Sequence, residues 1–127
     1  RVRNNIFSTN EQGLITGNPY IENKGNTFDY NLFATPKKIT PKWEWKKQKY
    51  TAIAAWRAAD EQDKHSVATS KFIFSDPVNN NFSLTKKSAA VDAGDPDFFS
   101  EDDEKDMNGN PRIHNTQTDM GAFEFTP

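Results

Sequence analysis

A polar amide followed by two apolar residues occurs twice in the first part of the chain. The run Asn5-Ile6-Phe7 returns 26 positions later as Asn31-Leu32-Phe33. Recurrence at such an interval is typical of repeat proteins, in which each coil stacks its side chains on those of the next. We therefore predict that the two runs form parallel strands in register. The predicted neighbours are Ile6 with Leu32 and Phe7 with Phe33.

Turn signals and alternating patterns divide the next part of the chain. Gly17-Asn18-Pro19 has strong turn chemistry and closes the short apolar patch at Leu14-Ile15. Further on, Trp43 and Trp45 alternate with charged residues, which is typical of a short strand or one arm of a hairpin. The chain before Thr51 is therefore predicted to consist of short strands separated by turns.

An Ala-rich stretch over residues 52–60 predicts one short helix, with Thr51 as its candidate N-cap. Ile53 and Trp56 lie three positions apart and share one face, which we expect to pack against the strands. Beyond the helix, apolar runs at 72–74, 82–84 and 120–125 predict further strands.

The composition limits the class of protein. The apolar fraction is 34%, which is below the ~45–50% usual for globular domains. The net charge of -2 and the aromatic fraction of 13% nevertheless argue against disorder. A chain of 127 residues is about one domain, here with a thin core rich in aromatic side chains. The absence of Cys excludes a disulfide scaffold and a thiolate metal site.

No apolar run approaches the ~18 residues that a membrane-spanning helix requires. The chain opens at Arg1-Val2-Arg3, directly in a strand-like run and without an initiator Met. This opening suggests a piece of a longer protein whose targeting segment lies upstream.

Several motifs follow one another between residues 4 and 125. They are Asp29-Tyr30-Asn31-Leu32-Phe33, Phe74-Ser75-Asp76-Pro77, Ser88-Ala89-Ala90-Val91-Asp92-Ala93-Gly94, Asp106-Met107-Asn108-Gly109-Asn110-Pro111 and Asp119-Met120-Gly121-Ala122-Phe123-Glu124. In this order they resemble the C-terminal portion of bacterial secreted right-handed parallel β-helix proteins, the pectate-lyase-like superfamily. The resemblance implies an all-β fold, namely the terminal coils of a right-handed parallel β-helix with a short α-helix in an insertion.

The same resemblance implies one domain, with coils over 1–36, the helical insertion over 37–68, and closing coils with a tail over 69–127. It also implies an extracellular or bacterial cell-surface location. Catalytic residues of such proteins usually lie on central coils, so none is assigned here. The implied function is a non-catalytic part of a protein that interacts with or processes polysaccharide. Two alternatives stay open: a structural or adhesion module without a sugar site, and the end of a polysaccharide lyase whose active site lies upstream.

The candidate carbohydrate-binding residues are Trp43, Trp45, Tyr50, Lys46 and Lys47. Sugar rings stack on exposed aromatic faces, and ammonium groups attract the carboxylates or sulfates of an acidic polysaccharide. Further lysines flank this group at positions 37, 38, 42 and 49. The alternative is that the indole rings fix the insertion to the core while the lysines confer solubility, and the sequence favours this alternative.

Asp106, Asn108 and Asn110 form a weak candidate for a Ca²⁺ site, because alternating oxygen ligands next to a Gly resemble the opening of a calcium loop. The bidentate Glu that should close such a loop is absent, since position 117 is Gln. A turn held by the Asp side chain is therefore the preferred interpretation, and no other cofactor is predicted.

Asp63, His65 and Ser66 contain the three groups of a catalytic triad, but they lie too close along the chain for a nucleophile and its base. We expect the pair Asp63 and His65 to anchor the end of the helix to the coil instead. The acidic run at 101–104 is typical of a solvated loop. A slightly acidic chain with pI ≈ 5.7 also argues against binding of nucleic acid.

A parallel coil that begins at Arg1 would expose unpaired backbone groups along its first strands. We therefore predict that the chain either self-associates through this N-terminal edge or covers it with its own loops.

Overall fold

The structure is a computed structural model that describes residues 1–17 and 25–127, apart from the side chain of residue 60. The predicted turn at Gly17-Asn18-Pro19 lies largely outside the described residues. The strands are β1 (Val2–Arg3), β2 (Ile6–Ser8), β3 (Gly13–Thr16), β4 (Phe28–Asp29), β5 (Leu32–Ala34), β6 (Lys42–Trp45), β7 (Gln48–Tyr50), β8 (Val67–Thr69), β9 (Phe74–Asp76) and β10 (Asn81–Leu84). One α-helix, α1 (Ile53–Asp60), and a 3-10 turn at Pro77–Asn79 complete the described elements.

The predicted register of the repeat is confirmed. Strands β2 and β5 pair in parallel, with Ile6 opposite Leu32 and Phe7 opposite Phe33. The paired Phe rings stack, with centroids 5.3 Å apart. Strand β8 continues the same sheet, since Leu32 also lies opposite Val67.

The prediction of terminal β-helix coils is wrong. The described strands form small separate sheets of two or three strands, β1-β4, β2-β5-β8, β3-β6-β7 and β9-β10, and these are not stacked as a parallel helix. The pairs β6-β7 and β9-β10 are antiparallel. The predicted strand at 82–84 lies within β10, the one at 72–74 overlaps β9 only at Phe74, and 120–125 forms no strand.

The prediction of coils fails because of the way in which the last third of the chain provides hydrogen-bond acceptors for its backbone N–H groups. Instead of strand ladders, buried carboxylates accept the backbone N–H groups, as when Asp106 accepts from Glu124 at 2.8 Å and Asp119 accepts from Phe125 at 2.6 Å. Turns of this kind satisfy buried donors without strand pairing.

Strand β5, the middle strand of the central sheet β2-β5-β8, is buried on both faces. Its successive side chains point to opposite faces, and all of them are covered. On one face, Leu32 packs in a cluster with Ile73, Leu84, Ala90 and Met120. On the other face, Phe33 packs in a second cluster with Ile15, Trp43, Trp45 and Trp56. The central sheet is thus a layer between the C-terminal turns and the sheet β3-β6-β7 with its helix.

The predicted helix is confirmed, and it begins after Ala52 rather than Thr51, without a side-chain cap. The helix contacts strand β6 through Trp56, which is fully buried and meets Trp45 edge-on at 6.0 Å. Ile53 packs against the same cluster. The helix ends where Glu61 adopts a left-handed conformation.

The C-terminal turns lie against the first residues of the chain. Gly121 donates to the Asn4 carbonyl at 2.8 Å. A Cβ atom at Gly121 would lie 2.8 Å from Ile6 Cδ1, and the φ of +102° is one that side chains rarely adopt. Glycine at this position therefore allows the close approach that covers the N-terminal strands at their Asn4 corner.

Candidate functional site

The two candidate sugar-stacking indoles are buried. Trp43 is 0% exposed and Trp45 is 4% exposed. Trp43 meets Phe33 edge-on at 5.5 Å, and Trp45 meets Phe28 in the same way at 5.5 Å. Tyr50 is half-buried and contacts the helix. Neither indole offers an open face to a sugar ring, which favours the alternative interpretation that these rings fix the segment to the core.

The candidate lysines lie at the surface. Trp45 pairs with Gln48, so Lys46 and Lys47 form a two-residue hairpin loop between β6 and β7. Both have positive φ angles, 46° and 65°, as the hairpin turns that match the twist of the strands require. Their side chains and that of Lys49 are exposed. The structure thus separates the lysines at the tip from the indoles in the core.

Asp106 has the geometry of an Asx turn. Its carboxylate accepts from the backbone N–H groups of Asn108 at 2.8 Å and Asn110 at 2.7 Å. Although burial alone would raise the pKa of Asp106, hydrogen bonds from Glu124 and Asn110 lower it. No group of three or more His, Cys, Asp or Glu side chains that could hold a metal ion occurs among the described residues. The Asp106 carboxylate is already engaged by the backbone of the turn, which is the interpretation that the sequence favoured.

Asp63, His65 and Ser66 are not arranged as a triad. His65 is exposed, and its Nδ1 lies 2.8 Å from Asp29 Oδ2 while its ring stacks on Tyr30 at 4.6 Å. Ser66 instead donates to Asp63 at 2.6 Å, and both of these side chains are buried. The imidazole therefore lies apart from the hydroxyl that it would have to activate.

Asp63 is the centre of a buried polar network. Its carboxylate accepts from Trp56 Nε1 at 2.8 Å and from Asn31 Nδ2 at 3.2 Å, in addition to Ser66. Asn31 Oδ1 in turn accepts from Asn5 Nδ2 at 3.2 Å. The network joins the helix to the residues that precede β2, β5 and β8. Of the predicted anchoring pair, Asp63 has this role, whereas the His65 ring contacts Asp29 and Tyr30 instead.

The acidic residues divide into a solvated loop and a buried group. Residues 101–104 are exposed. Glu124, by contrast, is buried and forms an ion pair with Arg112 at 3.1 Å. It accepts hydrogen bonds from the Thr118 hydroxyl at 2.9 Å and from the backbone N–H of Asp119 at 3.0 Å. Burial raises the pKa of Glu124 to about 7, against the lowering effect of these donors. Burial also raises the pKa of Asp119.

An unpaired edge runs along the first strands, a feature that we call the N-terminal edge and define as β1, β2 and β3. Among residues 1–17 and 25–127, each of these strands pairs with another strand on one side only. Ile6 and Phe7 are half-buried, whereas their neighbours Leu32 and Phe33 are 0% and 1% exposed. The incomplete cover of Ile6 and Phe7 leaves this edge open to a partner.

A cavity of about 520 Å³ lies where β2, β5 and β8 end. Thr9, Thr35 and Ser70 follow the last paired residues of these strands and line it side by side. Its wall includes Phe74 and Phe82, whose rings meet edge-on at 5.3 Å. We call this the strand-end cavity. Sequence reasoning missed it, although Thr35 follows Thr9 at the interval of the repeat.

Comparison with known proteins identifies a bacterial relative of the chain. The chain is 30% identical over 89 residues to the uncharacterized protein YwoF of Bacillus subtilis (strain 168), and this match covers 70% of the chain but only 19% of YwoF. No family model matches the chain, and no solved structure matches it either. Within the described residues, no helix is long and apolar enough to cross a membrane.

Proposed function

We propose that this chain is a non-catalytic interaction module of a secreted or cell-surface bacterial protein, and that it binds a second copy of itself through the N-terminal edge. The observation that carries the proposal is the half-exposed pair Ile6 and Phe7 on β2, a strand that has one partner among the described strands. Their counterparts on β5, which have strands on both sides, are fully covered.

Within the N-terminal edge, strand β2 lacks the features by which proteins usually block edge pairing. Natural edge strands carry Lys, Pro or bulges that prevent pairing with another chain. The residues from 4 to 10 include no charge and no Pro. Strand β7, at another edge, carries Lys49 and is flanked by Lys46 and Lys47. Two uncharged β2 strands can therefore approach each other across a two-fold axis without like-charge repulsion.

The outward backbone groups of β2 identify a variant that tests this proposal. Asn5 and Thr9 bond to β5 through their carbonyl and N–H groups, so alternation along the strand turns the N–H groups of Ile6 and Ser8 outward. Replacement of Ser8 by Pro removes one outward donor and keeps the pairing with β5. We expect concentration-dependent association of the natural chain in sedimentation analysis, and about tenfold weaker association of Ser8→Pro.

The matched control is Ala68→Pro, because Ala68 lies on β8 at the other edge of the same sheet. Its association should equal that of the natural chain. A natural chain that stays monomeric at its highest soluble concentration would refute the proposal. Equal loss of association in Ser8→Pro and Ala68→Pro would also refute the proposal.

Contact with an acidic polysaccharide is the second candidate function, and the exposed lysines of the β6-β7 hairpin are the observation that favours it. Paired replacement of Lys46 and Lys47 by Gln should reduce retention on an immobilised polyuronate at low salt, since screening weakens such contacts. The charge-matched control replaces Lys86 and Lys87, which lie in an exposed turn. Equal retention of the hairpin variant and the natural chain would exclude this contact.

A further inference from the structure

We propose that the strand-end cavity binds a small organic anion with an apolar body, such as an aryl-substituted carboxylate. The volume of about 520 Å³ lies within the ~300–1,000 Å³ of small-molecule sites. The cavity adjoins the N-terminal edge at Ser8, but the inference does not rest on self-association, because it concerns what enters the cavity rather than how copies of the chain associate.

The apolar part of the ligand is indicated by the walls. Phe74 and Phe82 form an edge-on pair, and Ile73 and Pro36 also face the cavity. Phe72 lies at the same cavity and is 88% exposed. A large apolar side chain in this position would lose its contact with water when a ligand with an apolar body enters.

The charge of the ligand is indicated by the cations. Lys37 and Lys71 line the cavity, whereas none of the described residues that line it is Asp or Glu. Within residues 1–17 and 25–127, neither ammonium group forms an ion pair. Although the chain has 18 acidic residues, the charge at this cavity is positive. A positive lining favours an anionic ligand over a neutral or cationic one.

Hydroxyl groups supply the remaining donors. Thr35 and Ser70 lie side by side at the ends of β5 and β8. Along the chain, Ser70 directly precedes Lys71, and Thr35 lies two positions before Lys37. In the described part of the chain, no hydrogen bond engages either hydroxyl. Two hydroxyls and two ammonium groups can together donate to the oxygens of one carboxylate.

The test compares 4-phenylbutyrate with its neutral analogue 4-phenylbutanol on the full chain, by calorimetry and by NMR shifts of the cavity residues. We expect the carboxylate to bind at least about tenfold more tightly than the alcohol. Replacement of either Lys37 or Lys71 by Gln should weaken carboxylate binding about three- to tenfold and leave alcohol binding unchanged. Lys86→Gln together with Lys87→Gln, outside the cavity, should change neither affinity.

Three results would overturn the proposal. They are equal affinity of the acid and the alcohol, equal weakening by the Lys86 and Lys87 control, and the absence of shifts at cavity residues at millimolar carboxylate. Because all four lysines are exposed, the variants should fold normally, and an unchanged thermal transition would verify this.

Discussion

Replacement of Asp63 by Ala is expected to lower the free energy of unfolding by about 3–5 kcal/mol, because it leaves several buried donors without an acceptor. The donors are Trp56 Nε1, Asn31 Nδ2 and the Ser66 hydroxyl. Urea denaturation followed by Trp fluorescence measures the loss. The same carboxylate joins the helix to the central sheet, so its removal acts on both layers at once.

Two further variants separate the causes of this loss. Asp63 has a φ of 51°, and Asn tolerates this conformation better than Ala. Asp63→Asn keeps one acceptor oxygen and is therefore expected to lose about half as much stability as Asp63→Ala. Asp102→Ala, in the exposed acidic loop, should change stability by less than about 0.5 kcal/mol. A loss no larger for Asp63→Ala than for Asp102→Ala would contradict the central role of the network.

Replacement of Trp43 by Ala is expected to lower the free energy of unfolding by about 3–5 kcal/mol, the usual range for truncation of a buried Trp. Trp43→Phe should cost far less, about 1 kcal/mol, because the buried indole N–H has no hydrogen-bond partner in the described part of the chain and its removal relieves a desolvation penalty. The same denaturation experiment measures both variants.

Phe72→Ala provides the matched surface control, since it removes a large ring that is exposed. Its effect on stability should stay within about 0.5 kcal/mol. If Trp43→Ala were as mild as Phe72→Ala, the indole would not be a core residue. A large loss in Trp43→Ala also means that any accompanying loss of polysaccharide retention reflects unfolding rather than a lost sugar contact.

The sequence predicted the local features of the fold well. The pairing of Asn5-Ile6-Phe7 with Asn31-Leu32-Phe33 followed from one repeated pattern, because each run is an Asn followed by two apolar residues. The helix followed from Ala-rich composition and from the shared face of Ile53 and Trp56. In each case the information lies within a few neighbouring residues.

The layering of the fold could not be predicted in the same way. Whether β5 is covered on one face or two depends on Leu84, Ala90 and Met120, which lie far along the chain. The resemblance to β-helix proteins rests on motifs, and motifs do not specify how many strands pair or which side of a sheet is covered. The C-terminal residues instead form turns held by carboxylates.

The candidate site was predictable only in part. The favoured roles of Asp106 as a turn residue and of the Trp pair as core residues agree with the structure. The strand-end cavity was not predictable, because it forms only where Thr9, Thr35 and Ser70 are brought together by two strand pairings. Of these pairings, only that of β2 with β5 had a signal in the sequence.

The buried carboxyl of Glu124 couples folding to proton uptake. Its pKa is about 7 in the folded chain against an ordinary value of 4.5, so between these pH values the folded chain retains a proton that the unfolded chain has released. The stability that this group contributes is therefore complete below its unfolded pKa and declines as the pH rises to about 7. Asp106, with its lowered pKa, acts in the opposite sense and loses its contribution under stronger acid. The C-terminal turns that cover the central sheet should thus be most stable in mildly acidic solution and less stable as the pH approaches neutrality.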